Sequence, residues 1–390
     1  MNAKRKTEMR TAPLPRPAPE WLNEVKAWLD CLPSRTSVTE VPELLGAVGS
    51  STGSVRKTNE DRTCIAKFVD PHRPENTFAL AIVCDGIGGL ERGGDAATLA
   101  IAATIEYLVG SDQYEHDSNA VRLSSAISYA NQVVYEELHG AGGTTLCCFM
   151  MSPVGYPMGV SVGDSRLYGL GADGLLQLSV DDTIGQELAN LRNIRTEAIE
   201  ALEFSDDLSQ FVGSGADLRL DAHLPELESI RNGVIVASDG VWKMLGPTFP
   251  RIAKNSPSMH ELVRRGIQAS LWCGGLDNAS LAALGTNAID GQVANVSRNT
   301  LWIWAPQGLL RLDPERDTVR IARFSKGQHS ARVSEPRPEI SREEEVTTLP
   351  ELFPHLTEKT ASAERTRRSK RKKSPIRLQV PQDGRNAKKP

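Results

Sequence analysis

One stretch, Ala81-Ile82-Val83-Cys84-Asp85-Gly86-Ile87-Gly88-Gly89, constrains the fold more than any other part of this chain. Four apolar residues read as a buried strand, a carboxylate ends it, and a glycine-rich turn follows. Glycine lets the backbone pass close to whatever the carboxylate holds. Arg92-Gly93-Gly94-Asp95 and an alanine-rich helical pattern from about Ala96 to Val109 come next. Asp85 is therefore expected at the mouth of a strand, within reach of a metal ion or a phosphate. A strand–Asp–Gly turn also serves purely structural ends, but here the arrangement returns. Val234-Ile235-Val236-Ala237 runs into Ser238-Asp239-Gly240-Val241-Trp242, so two carboxylates are expected to converge on one site.

The 390 residues suffice for one large domain with extensions, and 39% hydrophobic content allows a sizeable core. The net charge of −4 is unevenly spread: residues 358–390 hold twelve Lys and Arg against three Asp and Glu, a tail of +9 on a body of −13. The six cysteines, Cys31, Cys64, Cys84, Cys147, Cys148 and Cys273, show no C-x-x-C spacing. Cys147 and Cys148 lie in an apolar run and read as small core residues. Met1–Pro19 is basic and proline-rich without a signal-peptide apolar core, and no stretch approaches eighteen apolar residues. The expectation is a cytoplasmic protein that makes no use of a membrane.

Residues 1–19 are expected to be disordered. Trp21, Leu22, Val25, Trp28, Leu29 and Leu32 have helical spacing, and residues 20–44 read as a helix and linker packed on the main body. The main domain is placed at 45–288. It has strands at Cys64–Val69, Phe78–Cys84, Leu146–Met151, Met158–Val162, Leu175–Val180, Val234–Ala237 and a short one after Asn278. Helices are predicted at Gly94–Val109, Asn119–Leu138, Ile184–Asn193 and Met259–Ala269. About 181–230 reads as an insertion or lid. Residues 289–326 read as an appended segment, with Leu301–Trp304 and Thr318–Arg323 as strands of a hairpin. Residues 327–390, rich in charge, Ser, Pro and Thr, are expected to be a disordered, basic tail.

The carboxylates at glycine-rich strand ends are Glu60/Asp61, Asp85, Asp164, Asp239 and Asp277, and no histidine accompanies them. Adjacent acids such as Glu60 and Asp61 suit a solvated loop or a cation between them. All-oxygen ligands with open positions suit Mg²⁺ or Mn²⁺ rather than zinc. Two such ions about 3.5–4 Å apart are a device for phosphate ester hydrolysis.

The ordered set Arg56-x-x-x-Glu60-Asp61, Asp85-Gly86-x-Gly88-Gly89, Gly143-Thr144-Thr145, Gly163-Asp164-Ser165-Arg166, Ser238-Asp239-Gly240-Val241-Trp242 and Asp277-Asn278 resembles the metal-dependent protein phosphatases of the PPM (type 2C) family. The resemblance runs from about Leu45 to Leu284. Composition supports only an α+β class; the resemblance implies a four-layer α/β/β/α sandwich, two antiparallel sheets flanked by helix pairs, with metals at one end. By resemblance Asp85 bridges two Mg²⁺ or Mn²⁺ ions, Asp239 and Asp277 complete one site, and Glu60 with the Gly86 carbonyl complete the other. Asp61 matches a residue that holds a water, Arg56 the substrate phosphate clamp, and Asp164 a third, weaker metal site. Asn278 would stand behind the ligands. The implied activity is hydrolysis of phosphoserine and phosphothreonine in proteins by a hydroxide bridging two metals, without a cysteine nucleophile.

The chain departs from the family pattern in places. Ile87 stands where some members carry a histidine proton donor, Lys243 follows Trp242 where an acid is frequent, and Asp181-Asp182-Thr183 replaces the usual Asp-His-Ser/Thr. Lys243 reads as a surface matter. The main alternative is a catalytically inactive relative that binds phosphoproteins or another partner; the full set of acids favours the enzyme. The run Arg365–Lys373 could bind nucleic acid non-specifically or an acidic partner, and it also reads as a nuclear localisation signal. It has no interleaved aromatic residues for base readout.

Overall fold

The computed structural model describes residues 19–33, 35–88, 90–111, 118–172, 174–190, 202, 204–220, 222–223, 225, 227–286 and 296–314. Residues 1–18 and 327–390 of the stretches expected to be disordered, the strand expected at Thr318–Arg323 and Gly89 of the first glycine turn lie outside them. So do residues 191–201, 203, 221, 224 and 226 of the insertion at about 181–230.

Four strands built almost wholly of small and apolar residues explain the layering. In β4 (Phe78–Cys84) all seven residues are buried. Successive side chains point to opposite faces of a strand, so both faces must be covered. Phe78, Leu80, Ile82 and Cys84 enter a core shared with helices, while Ala79, Ala81 and Val83 enter a second core. β5 (Leu146–Met151) divides the same way, Cys148 into the first core and Cys147 into the second. In β10 (Gly233–Ala237) Val234 and Val236 face the second core, and Ile235 and Ala237 a third. β11 (Ala279–Leu284) likewise sends Ala282 and Leu284 to the second core and Leu281 and Ala283 to the third. The second core is the seam between two sheets.

One sheet has the order β13-β12-β3-β4-β5-β6-β9. Its other members are β3 (Arg62–Val69), β6 (Met158–Val162), β9 (Ala222–His223), β12 (Thr300–Ala305) and β13 (Gly308–Leu312). The other sheet has the order β1-β2-β11-β10-β7-β8, with β1 (Thr36–Val41), β2 (Gly46–Ser51), β7 (Arg166–Gly171) and β8 (Gly174–Gln177). Every described pairing is antiparallel. Helices α1 (Glu20–Asp30), α2 (Gly93–Gly110) and α3 (Asn119–Leu138) contribute to the first core. A short α4 (Ile184–Asn190) opens the insertion. Helices α5 (Asp239–Leu245), α6 (Thr248–Lys254) and α7 (Met259–Trp272) cover the second sheet. This is the four-layer α/β/β/α sandwich, with three helices rather than a pair on each side among the described residues.

Some elements differ from expectation. The hairpin pairs β12 with Gly308–Leu312, and β12 also pairs with β3, so these strands extend the main sheet. β8 is shorter than predicted because the amides of both Leu178 and Ser179 turn to the Leu167 carbonyl, which ends the regular ladder. The hairpin of β1 and β2 carried no apolar alternation to announce it. Among the described residues no helix is long and apolar enough to cross a membrane.

Candidate active site

Register brings the acidic strand ends to one end of the sandwich. Arg62 pairs with Cys84, which sets the Glu60–Asp61 loop beside Asp85. Ala237 lies opposite both Leu281 and Arg166, which sets Asp239 between the segments carrying Asp277 and Asp164. Arg56, Glu60, Asp85, Gly86, Asp164, Asp239, Asp277 and Asn278 all line one cavity of about 160 Å³, together with Ile87, Gly88, Thr145 and Leu208. Asp61 does not line it. It is buried behind Glu60, only 1% exposed, so the pair of acids is no solvated loop. Among the described residues, Glu40 is the one carboxylate lining a larger cavity of about 560 Å³ at the opposite end of the sheets.

Hydrogen bonds pin the segments that carry these acids. The Asn278 side chain accepts from the Glu60 amide at 2.8 Å and donates to the carbonyls of Thr52 and Thr58. The Asp85 amide donates to Thr145 Oγ1 at 3.0 Å, and the Asp85 carbonyl accepts from the Thr144 hydroxyl and the Thr145 amide. Ser238 donates to Asp61 Oδ2 at 2.9 Å and accepts from the Ser280 amide. Trp242 Nε1 donates to the Asp164 carbonyl at 3.0 Å. Two glycines are required by crowding: a Cβ at Gly86 would stand 2.5 Å from the Gly93 carbonyl carbon, and one at Gly240 would stand 1.9 Å from the Asn278 carbonyl oxygen.

Several roles went unread in the sequence. Arg166 forms a bidentate pair with Asp181 (2.9 and 2.7 Å) and lies over the Trp242 ring, 3.2 Å from its centroid. Asp182 exchanges bonds with the Gly163 backbone. The two acids thus fasten the start of the insertion to the turn that carries Asp164. Motif membership singled out Ser238, Thr145 and Arg166, but no local pattern states which partner a distant hydroxyl or guanidinium will meet. Lys243, expected as a surface feature, donates to Asp206 at 2.6 Å, and its ammonium pulls the Asp164 and Asp239 carboxyls downward in pKa.

Despite that ammonium, the acids are strained by one another. Burial, then Asp61, Asp239, Asp164 and Asp277, hold the Asp85 carboxyl well above the usual carboxylate range. Burial pushes Asp61 up to about 7 against the opposing bonds from Ser238 and Ser280. Burial and Asp239 push Asp164 up to about 7. Asp239 is raised by burial and by Asp277. The one guanidinium lining the cavity, Arg56, donates to Asp277 Oδ2 at 2.8 Å.

This donor set fits hard divalent cations. It offers carboxylate oxygens without histidine or thiolate, its acids repel one another, and Asp239 Oδ1 is buried with no hydrogen-bond partner. Among the described residues no three His, Cys, Asp or Glu side chains close on one point as a finished metal site; Asp277 is turned to Arg56.

No protein-family model matches the chain, and no curated protein matches it. Solved structures do. The Mycobacterium tuberculosis serine/threonine phosphatase PstP/Ppp is 24% identical, covering 64% of this chain and 98% of its own, with a TM-score of 0.51. Stp1, a serine/threonine phosphatase from Staphylococcus aureus, is 19% identical over 62% of this chain and 94% of its own, with a TM-score of 0.55. The S. agalactiae serine/threonine phosphatase is 20% identical over 64% and 99%, with a TM-score of 0.51. The chain has the fold of these bacterial serine/threonine phosphatases, the sandwich that its resemblance to the PPM family implied.

Proposed function

We propose that this chain is a divalent-metal-dependent phosphatase that hydrolyses phosphoserine and phosphothreonine monoesters in proteins. The observation that carries the reading is the meeting of Arg56 with Glu60, Asp85, Gly86, Asp164, Asp239 and Asp277 in one cavity, drawn from segments more than 200 residues apart. The fold shared with proteins named serine/threonine phosphatases supports it.

Glu60, Asp85, the Gly86 carbonyl, Asp239 and Asp277 would hold two Mg²⁺ or Mn²⁺ ions, and Asp164 a third, weaker one. Such ions supply Lewis acidity toward phosphate oxygens and make water a stronger acid. The remaining work falls to the chain. Arg56, once released from Asp277, presents N–H donors to the equatorial oxygens of the phosphoryl group. Asn278 keeps the Glu60 amide and the 52–58 segment in place. Asp61 Oδ1, buried and without a hydrogen-bond partner, offers an acceptor for an ordered water behind Glu60. Ile87 lines the cavity where it can give no proton, so the departing serine or threonine oxygen takes its proton from water.

The test is turnover of an aryl phosphate and a phosphothreonine peptide with Mn²⁺, Mg²⁺ or chelator, beside Asp85→Asn and Asp239→Asn. Metal-dependent turnover lost in both variants is expected. A folded protein inert with every metal would replace this reading with that of a phosphoprotein-binding module. Six free cysteines support the reading as a cytoplasmic protein. Binding of an acidic partner or nucleic acid by Arg365–Lys373, outside the described residues, is a proposal from charge alone. Deleting the tail and measuring activity and polyanion binding tests it.

A further inference from the structure

Arg62 opens β3 immediately after the Glu60–Asp61 pair, and it is 7% exposed. Its Nη1 donates to the carbonyls of Asn59 and Asp61, both at 2.9 Å. These are the two carbonyls that flank Glu60. On its other side the guanidinium leaves the site: Nε donates to Thr98 Oγ1 of α2 at 3.0 Å, and Nη2 donates to Asp30 Oδ1 of α1 at 3.1 Å. The Thr98 hydroxyl donates to the same Asp30 oxygen. One carboxylate oxygen on α1 thus anchors both the arginine and the helix behind it.

Asp30 stands where a helix alone would not favour an acid. It is the last residue of α1, whose final turn has no basic residue. A carboxylate there faces the negative end of the helix dipole. The Arg62 guanidinium compensates for it. α1 itself is seated by Trp21, Leu22, Val25 and Leu29 in the core it shares with α2, and by the Gln307 amide on the Trp28 carbonyl. The Glu60 loop therefore sits between two clamps: Asn278 holds its amide from the β11 side, and Arg62 holds its carbonyls from the α1 side.

We propose that α1 is a positioning element for the Glu60 half of the site. Its docking, transmitted through Asp30 and Arg62 to the carbonyls of Asn59 and Asp61, sets the affinity of that half for a divalent cation. The inference rests on the reading of Glu60 as a metal ligand. Loosening α1 from α2 then weakens cation binding without altering a ligand, so this helix is a control point for the activity.

Calorimetric titration of the full chain with Mn²⁺ tests it, beside half-saturating Mn²⁺ and kcat for aryl phosphate hydrolysis. Asp30→Ala should raise the Mn²⁺ dissociation constant about tenfold, the usual scale for groups that orient metal ligands. Its kcat at saturating Mn²⁺ should stay within about twofold, a split that a general loss of stability would not produce. Asp30→Asn, which keeps the shape and an acceptor oxygen, should show a smaller shift and guards against a failure to fold. Glu24→Ala, exposed on the same helix, should bind Mn²⁺ as the wild type does. An unchanged Mn²⁺ affinity in both Asp30 variants, with wild-type binding intact, overturns this inference alone. A wild-type chain that binds no Mn²⁺ overturns the phosphatase reading and this inference with it.

Discussion

Arg56 Nη2 lies 2.8 Å from Asp277 Oδ2, and both side chains remain partly open to solvent. The pair joins the proposed phosphate clamp to a proposed metal ligand across the cleft. A cation that takes Asp277 as ligand competes with Arg56 for it, so loading the site and freeing the clamp become one event. Arg56→Ala should therefore lower kcat/KM for a phosphopeptide by about 10²-fold, as loss of a donor to a charged transition state does. Mn²⁺ affinity should be unchanged or tighter, because Asp277 loses its competitor. Weaker Mn²⁺ binding in this variant would show that the arginine supports the metal site instead.

The crowding of acids predicts a gain in stability from removing one. Asp85 is half-buried beside Asp61, Asp239, Asp164 and Asp277, each of which raises its pKa. Neutralising it removes that repulsion. Metal-free Asp85→Asn should melt about 2–4 °C above the metal-free wild type, the shift that about 1 kcal/mol gives in a domain of this size. Mn²⁺ should then raise the melting temperature of the wild type and leave the variant unmoved. A variant that melts lower without metal would mean that the Asp85 carboxylate is already compensated.

The same shifts set a pH dependence. Asp61 and Asp164 move from 3.8 up to about 7, and Asp85 and Asp239 also move up. The folded state therefore binds more protons than the unfolded state, and stability falls as pH rises between those values. For Asp61 and Asp164 the penalty is absent below about pH 4 and sets in as pH rises through about 7. From this site alone, metal-free protein should be more stable in urea at pH 6 than at pH 8, and Mn²⁺ should remove the difference. An apo stability that rises over this interval would contradict the proposed crowding.

Much of this was legible in the sequence, for a physical reason. The bounds of β4, β5, β6 and α3 match the predicted ones, because these three buried strands are mostly apolar and α3 has a clear apolar face. The order of the motifs pointed to the sandwich, and the structure brings the predicted acids into one cavity except Asp61, which lies just behind it. The links between them were not legible. Asp30 and Arg62, or Arg166 and Asp181, are ordinary polar residues in sequence, and their pairing exists only once the helices and strands have packed. Lys243 lies at the surface as expected, but its influence on Asp164 and Asp239 was not legible, because it depends on where α5 begins.

Gly240 is where packing and chemistry meet most tightly. It follows Asp239 in the first turn of α5, and a Cβ there would stand 1.9 Å from the Asn278 carbonyl oxygen. That contact is with backbone, so rotating a side chain cannot relieve it; α5 or the segment before β11 must move. Asn278 also holds the Glu60 amide and the Thr52 and Thr58 carbonyls, so the displacement reaches both halves of the site. Gly240→Ala should cost about 1–3 kcal/mol by chemical denaturation, the range for overpacking. It should also weaken Mn²⁺ binding, although it changes no ligand. If the variant lost stability but bound Mn²⁺ with wild-type affinity, the strain would be absorbed within α5, and Asn278 would not be the link between the two.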